Sequence, residues 1–214
     1  MSEGEVQFDS IETAIAGIKA GEMIVVVDDD DRENEGDLIM AASKATSEKV
    51  AFMIRHTSGI LCAPMFEDHA KMLHLDPMVA RNDAPMSTAF TVSIDYKHGL
   101  TTGISAEERA TTVQALTNSN VGAQDFVRPG HIFPLVARQG GTMVRSGHTE
   151  AGVDLSVLAE LPPVSLLAEL VNDDGTVQRL PQLLEFSKEH NLKIITIADL
   201  IAYRQEREQL VEQM

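Results

Sequence analysis

A chain of 214 residues, 43% hydrophobic and only 4% aromatic, has enough apolar mass for one substantial core and too little for two comfortable ones. Its formal net charge of −16 repels nucleic-acid phosphate, so any anionic ligand must be held locally by a few arginines and backbone N–H groups. No apolar run approaches the roughly 18 residues that span a bilayer, and no basic stretch leads into a hydrophobic one as in a secretion signal.

The chain therefore reads as a single domain over residues 1–214, cytoplasmic, with no membrane and no nucleic-acid partner. The one cysteine, Cys62, cannot form an intrachain disulfide and suits a reducing compartment.

Asp9-Ser10-Ile11-Glu12 resembles a capping box and opens a first helix that carries Ile11, Ile15 and Ile18 on one face and stops at Gly21. Met23-Ile24-Val25-Val26-Val27 follows as a buried strand, because β-branched residues fit a covered pleated surface. It empties into Asp28-Asp29-Asp30-Asp31-Arg32-Glu33-Asn34-Glu35-Gly36-Asp37, seven carboxylates and one guanidinium in a tight loop before Leu38-Ile39-Met40. Carboxylates this dense repel unless a cation sits among them or some hold protons, which describes a metal-assisted acid/base site. A solvated acidic turn is the plainer alternative.

Thr46 or Ser47 starts a second helix with Val50, Met53 and Ile54 inward, ending at Thr57-Ser58-Gly59. Residues 60–65 read as a strand with Pro64 near its edge or end, and Cys62 there is a small buried hydrophobe rather than a nucleophile. A short helix over 66–75 precedes a long irregular stretch, 76–87, able to act as a lid. Alternation over 90–95 predicts a half-buried strand. Thr101-Thr102-Gly103 leads to a capping box at Ser105-Ala106-Glu107-Glu108 and a helix towards Asn118; this turn can ligate phosphate, but capping accounts for it.

Arg128-Pro129-Gly130-His131 precedes a strand over 132–137 that Pro134 interrupts. Arg145-Ser146-Gly147-His148-Thr149-Glu150 then opens a helix carrying Ala151, Leu155 and Leu158. Free N–H groups and the positive dipole end favour an anion there, Arg145 adds donors, Gly147 permits close approach, and His148 offers nitrogen to a divalent metal. Simple capping by Thr149 and packing by His148 is the competing reading. Glu169 lies inside the apolar strand 165–171; if buried it must be paired, metal-bound or protonated, and if it points outward from an edge it means little. A turn at Asn172-Asp173-Asp174-Gly175, a helix from Pro181 with Leu184 inward, a strand over 193–197 and a helix from Asp199 towards Met214 complete the chain. Short loops between several strands predict an α+β fold, one mixed twisted sheet with helices packed on its faces.

Asp31-Arg32-Glu33-Asn34-Glu35-Gly36-Asp37, with Arg128-Pro129-Gly130-His131 and Arg145-Ser146-Gly147-His148-Thr149-Glu150, resembles the 3,4-dihydroxy-2-butanone 4-phosphate synthases of riboflavin biosynthesis. The likeness extends to residues 101–106, to 169–175 and to Tyr203-Arg204. It implies a lyase that converts the sugar phosphate D-ribulose 5-phosphate to L-3,4-dihydroxy-2-butanone 4-phosphate plus formate, with Mg²⁺ or Mn²⁺, in a homodimer. By motif position, Glu33 and His148 resemble the metal ligands. Arg32, Glu33, Asp37 and the loop of Arg145, Ser146, Gly147, His148 and Thr149 resemble the substrate contacts, and Glu169 joins them. His131, Glu169 and Glu35 match positions suited to proton transfer. The chain ends soon after its last helix, as a stand-alone enzyme would rather than a fusion with GTP cyclohydrolase II. A metal-dependent phosphoketose isomerase or aldolase, or a non-catalytic sensor of a sugar phosphate and metal, would share part of this equipment. A sensor would not need His131, Glu169 and Glu35 as well.

Overall fold

The computed structural model describes residues 7–212 and has a seven-stranded mixed sheet at its centre. The strands are β1 (Ile24–Val27), β2 (Gly36–Ala41), β3 (Cys62–Phe66), β4 (Ile94–Tyr96), β5 (Phe126–Ala137), β6 (Ser165–Glu169) and β7 (Lys193–Thr196), in the spatial order β4-β5-β3-β6-β2-β1-β7. β1 with β7 and β3 with β5 run parallel; the remaining pairs are antiparallel. Every residue of β1 and β2 is buried, because helices cover both faces.

Alternate residues feed two cores. Val25, Leu38 and Met40 point to one, with α2 (Ser47–His56), α3 (Glu67–Met72), α4 (Ala106–Ala115) and α6 (Leu180–Glu189). Ile24, Val26, Ile39 and Ala41 point to the other, with α1 (Ile11–Ala20), α5 (His148–Leu158) and α7 (Ile197–Glu212). Helix ends follow the chemistry in the sequence: Ser10, Thr46 and Ser105 accept N–H bonds as N-caps, and Gly21 closes α1 in the left-handed region at φ 90°. The last expected helix runs to Glu212, the last described residue, and Met214 lies outside the described residues. Among the described residues no helix is long and apolar enough to cross a membrane.

Several expectations shift. Pro64 lies within an interior strand rather than near an edge: β6 meets β3 at Cys62, Val164 just before β6 bridges to Met65, and neither contact asks Pro64 for a missing N–H. The strand expected over 90–95 is shorter and later, with only isolated bridges at Phe90 and Thr91. Pro134 does not break β5, which runs continuously through Arg128-Pro129-Gly130-His131. Leu184 is only partly buried; Leu183 and Phe186 are the inward residues of α6.

Gly130 explains how β4 closes on β5. A Cβ there would overlap the carbonyl carbon of Ile94 and the backbone nitrogen of Asp95, neither of which can swing aside. Gly130→Ala should therefore lower stability by about 2 kcal/mol or more, read as a fall in the urea midpoint at constant slope. An unchanged midpoint would mean that the two backbones separate freely.

Candidate active site

The acidic loop is shaped by its first member. Asp28, buried at the end of β1, accepts the backbone N–H groups of Glu33 at 3.0 Å and Glu35 at 2.9 Å and an Arg32 Nη1 bond at 2.8 Å. These bonds fold the chain back on itself, so Asp28 serves as a local organiser. Asp29, Asp30 and Asp31 face solvent, and for these three the plain reading of a solvated turn holds. Asn34 takes the left-handed conformation at φ 55°, and Arg179 from the start of α6 donates to the carbonyls of Glu33, at 2.9 Å, and Asn34.

α5 meets the loop from the opposite side. Residues 148–156 are buried all round, so this helix is a rigid interior rod and its N-terminus is fixed. His148 Nε2 donates to the Val26 carbonyl at 3.0 Å, which leaves Nδ1 facing Glu33 Oε2 at 3.6 Å and Asp37 Oδ1 at 3.8 Å. Gly147 is the N-cap and contributes backbone, with no side-chain cap, so the first-turn N–H groups stay available. Arg145 Nη1 pairs with Glu150 at 2.6 Å, while Nη2 donates to the Met86 carbonyl at 3.1 Å and to Thr88 Oγ1 at 3.2 Å. The expected lid segment is thereby tied to the helix end.

β2 and β6 complete the floor. Asp37 and Glu169 are direct antiparallel partners, and Ser58 Oγ donates to Glu169 Oε2 at 2.6 Å. Glu169 is half-buried at the last position of its strand, so the enclosed carboxylate suggested by its apolar neighbours is instead Asp37. One cleft is lined by Arg32, Glu33, Glu35, Asp37, Arg145, His148, Thr149 and Glu169, with Cys62, Thr88, Phe90, Leu135 and Leu167 as its remaining walls. Ser146 is half-buried beside it and makes no side-chain hydrogen bond in the structure.

His131 stands apart from this lining. It precedes Phe133 by two residues, Glu169 follows Leu167 by two, and Phe133 and Leu167 both pair with Cys62. His131 and Glu169 thus lie at the same end of the sheet on either side of β3, two strand spacings or about 10 Å apart. Asp28 as organiser, Arg179, Ser58 and Thr88 had no sequence signal, because each acts through a contact made only in the fold.

The electrostatics follow from burial. Contact with His148, opposed by burial and aided by Arg32, holds Glu33 down at about 2. Burial pushes His148 down, but the negative charges of Asp37, Glu33 and Asp28 outweigh it and hold the imidazole up at about 9. Burial drives Asp37 up to about 7, and burial with the Glu33 and Glu169 charges also raises Glu35. Asp28, Glu33 and His148 bring ligand atoms within 4.8 Å of one another, and Asp37 Oδ1 is buried with no partner. A buried orphan oxygen, an imidazole nitrogen and flanking carboxylates fit a divalent cation.

The model of the 3,4-dihydroxy-2-butanone 4-phosphate synthase family matches residues 12–203. The chain is 56% identical over 207 residues to a chloroplastic bifunctional riboflavin biosynthesis protein of Arabidopsis thaliana, covering 96% of this chain and 38% of that one. It is 52% identical over 200 residues to a 3,4-dihydroxy-2-butanone 4-phosphate synthase of Neisseria meningitidis serogroup B, covering 94% and 55%. The chain spans from 37% to 55% of the length of such curated relatives. A crystal structure of 3,4-dihydroxy-2-butanone 4-phosphate synthase in complex with two magnesium ions superimposes with a TM-score of 0.91 at 42% identity, over 94% of this chain and 99% of that one.

Asp37 supplies a pH test. Its value rises on folding from 3.8 to about 7, so the folded chain binds this proton more tightly and ionisation opposes folding, fully above pH 7 and not at all below pH 3.8. Asp37→Asn, studied in chelator, should raise the melting temperature by at least about 2 °C at pH 8 and change it little at pH 4. An equal or lower melting temperature at pH 8 would show that Asp37 is not a strained charge.

Proposed function

This chain belongs to the 3,4-dihydroxy-2-butanone 4-phosphate synthase family, and we propose that it converts D-ribulose 5-phosphate to L-3,4-dihydroxy-2-butanone 4-phosphate and formate. The reaction is a lyase step of riboflavin biosynthesis using Mg²⁺ or Mn²⁺. One observation carries this reading: a cation-fitting set of Glu33, His148 and Asp37 faces the same cleft as Arg145 and the N-terminus of α5. A ketose phosphate presents just these two handles, vicinal oxygens at one end and a dianion at the other. The carbons balance as five into four plus one, with no co-reactant consumed.

Glu33 and His148 would hold the cation, whose chemistry when bound is to polarise the ketone and acidify the neighbouring hydroxyl. The first-turn N–H groups of α5, Thr149 and the free donors of Arg145 bind the phosphate, while Arg32 and Asp37 contact the sugar. Proton removal beside the carbonyl, loss of water, the carbon shift and the return of one water before formate leaves all need proton carriers close to neutrality. Asp37 and Glu35, both raised by burial, move in that direction, and Glu169 and His131 are proposed as further proton carriers by their place in the sheet. Phe90, Leu135 and Leu167 exclude water around the reacting carbons.

A homodimer is part of the proposal: Ile60, Ile104, Val144 and Val157 are exposed apolar residues that a second subunit would cover. The cytoplasmic placement rests on the unpaired, buried Cys62.

Carbon NMR with labelled ribulose 5-phosphate should show one formate per substrate, abolished by chelator and restored by Mg²⁺ or Mn²⁺. Turnover without formate would point instead to an isomerase or aldolase, and full activity in excess chelator would remove the cation.

Arg145→Ala should raise the Michaelis constant at least about tenfold, the scale of one lost charge-assisted phosphate contact. It should also lower the melting temperature, since the buried Glu150 loses its partner. A stability loss with an unchanged Michaelis constant would make Arg145 purely structural.

A further inference from the structure

His131 does not project freely from β5. Its backbone N–H donates to Asp95 Oδ1 at 2.8 Å, and its Nδ1 lies 2.8 Å from Asp95 Oδ2, so one carboxylate grips the residue at two points. The Asp95 side chain is 4% exposed and that of His131 39% exposed, so the carboxylate is sealed while the imidazole edge opens outward. An ionised carboxylate can only accept, so Nδ1 carries the hydrogen and Nε2 presents a lone pair away from the protein.

Three features of the backbone serve this pair. The β4–β5 register shifts between Ile94 and Asp95, an irregularity of the kind that re-aims a side chain. Gly130 lets β4 approach β5 at this level. Gly103, in the left-handed region at φ 87°, closes over the pair; a Cβ there would overlap Asp95 Oδ2 and stand 2.8 Å from His131 Nδ1. Among charged groups on α4, Arg109 feels the Asp95 charge but spends its Nη1 on the Gly59 carbonyl at 3.3 Å. The bonded partner of Asp95 is therefore His131.

We propose that Asp95 is a positioning residue for the reaction, fixing the tautomer and ring orientation of His131 so that Nε2 takes a substrate proton and later returns it. The proton adds to Nε2 to give an imidazolium whose charge Asp95 balances, and its return restores the neutral ring, so nothing is consumed. The proposal rests on the reading that His131 takes part in turnover.

The test measures kcat, the Michaelis constant and melting temperature for wild type, Asp95→Asn, Asp95→Glu, His131→Ala and the Asp95→Asn/His131→Ala double variant. Asp95→Asn should lower kcat about a hundredfold or more with the Michaelis constant within about threefold, because an amide can donate to Nδ1 and select the wrong tautomer. Asp95→Glu should recover much of the loss, and adding Asp95→Asn to His131→Ala should cost nothing further. Nitrogen NMR of the wild-type imidazole should report hydrogen on Nδ1, a reading that stands even if a variant fails to fold. A wild-type kcat in Asp95→Asn, a full further loss in the double variant, or hydrogen on Nε2 would overturn the proposal. A fully active His131→Ala would instead bring down the underlying reading of His131 and the role of Asp95 with it.

Discussion

Negative charge gathered where little water can screen it is the constraint on which the rest of the cleft depends. Asp28, Glu33 and Asp37 all approach His148, and each is accommodated differently. Asp28 is neutralised by Arg32 and two backbone N–H groups and so becomes part of the scaffold. Glu33 shares Arg32 and leans on His148. Asp37 has no arginine, faces His148 only at 3.8 Å, and its Oδ1 is buried without a hydrogen-bond partner. A fold tolerates an uncompensated buried carboxylate only when surrounding structure enforces it, and such strain concentrates where a ligand completes the arrangement. A divalent cation placed there would compete with a proton for the same oxygen, which would link acid titration to metal binding.

The enforcing structure is α5. Buried all round over residues 148–156, it has no freedom to rock, so the groups on its first turn hold position against β1 and β2. Its interior carboxylates are each paired: Asp154 takes Arg204 and Thr142, and Glu150 takes Arg145 and the Arg138 N–H. The Glu150 pair does two jobs. It neutralises a buried carboxylate and aims the Arg145 guanidinium into the cleft, where further donors reach Met86 and Thr88. The irregular segment 76–87 is thereby coupled to the N-terminal end of the helix, so whatever displaces those donors frees the segment too.

At the other end of the cleft the sheet supplies geometry that no single element contains. Glu169 and His131 flank β3 because the β3–β6 and β3–β5 registers meet at Cys62. The two side chains lie about 10 Å apart, one on each side of β3. A slip of one residue in either pairing would turn one of them to the opposite face, which makes the register itself part of the site.

Much of this was legible in the amino-acid order. The apolar run of β1, the caps at Ser10, Thr46 and Ser105, and the stop at Gly21 are local signals, and local backbone chemistry set them. Two charged motifs marked the loop after β1 and the start of α5 because dense charge beside apolar runs has few other uses. The mixed sheet with helices on both faces followed from short loops between strands. Tertiary structure decided the rest. Pro64 and Pro134 look like strand breakers until the neighbouring pairing shows where no N–H is required. Asp29, Asp30 and Asp31 look equal to Asp37 until burial separates them. Glu169 looks enclosed by its strand, yet its place at the strand's end leaves it half open, and the raised carboxylate is Asp37. Asp95, 36 positions before His131, has no mark in the sequence at all. Local order determines which elements form, but burial and pairing are properties of elements after they meet, and these decide which of many similar charges are enclosed.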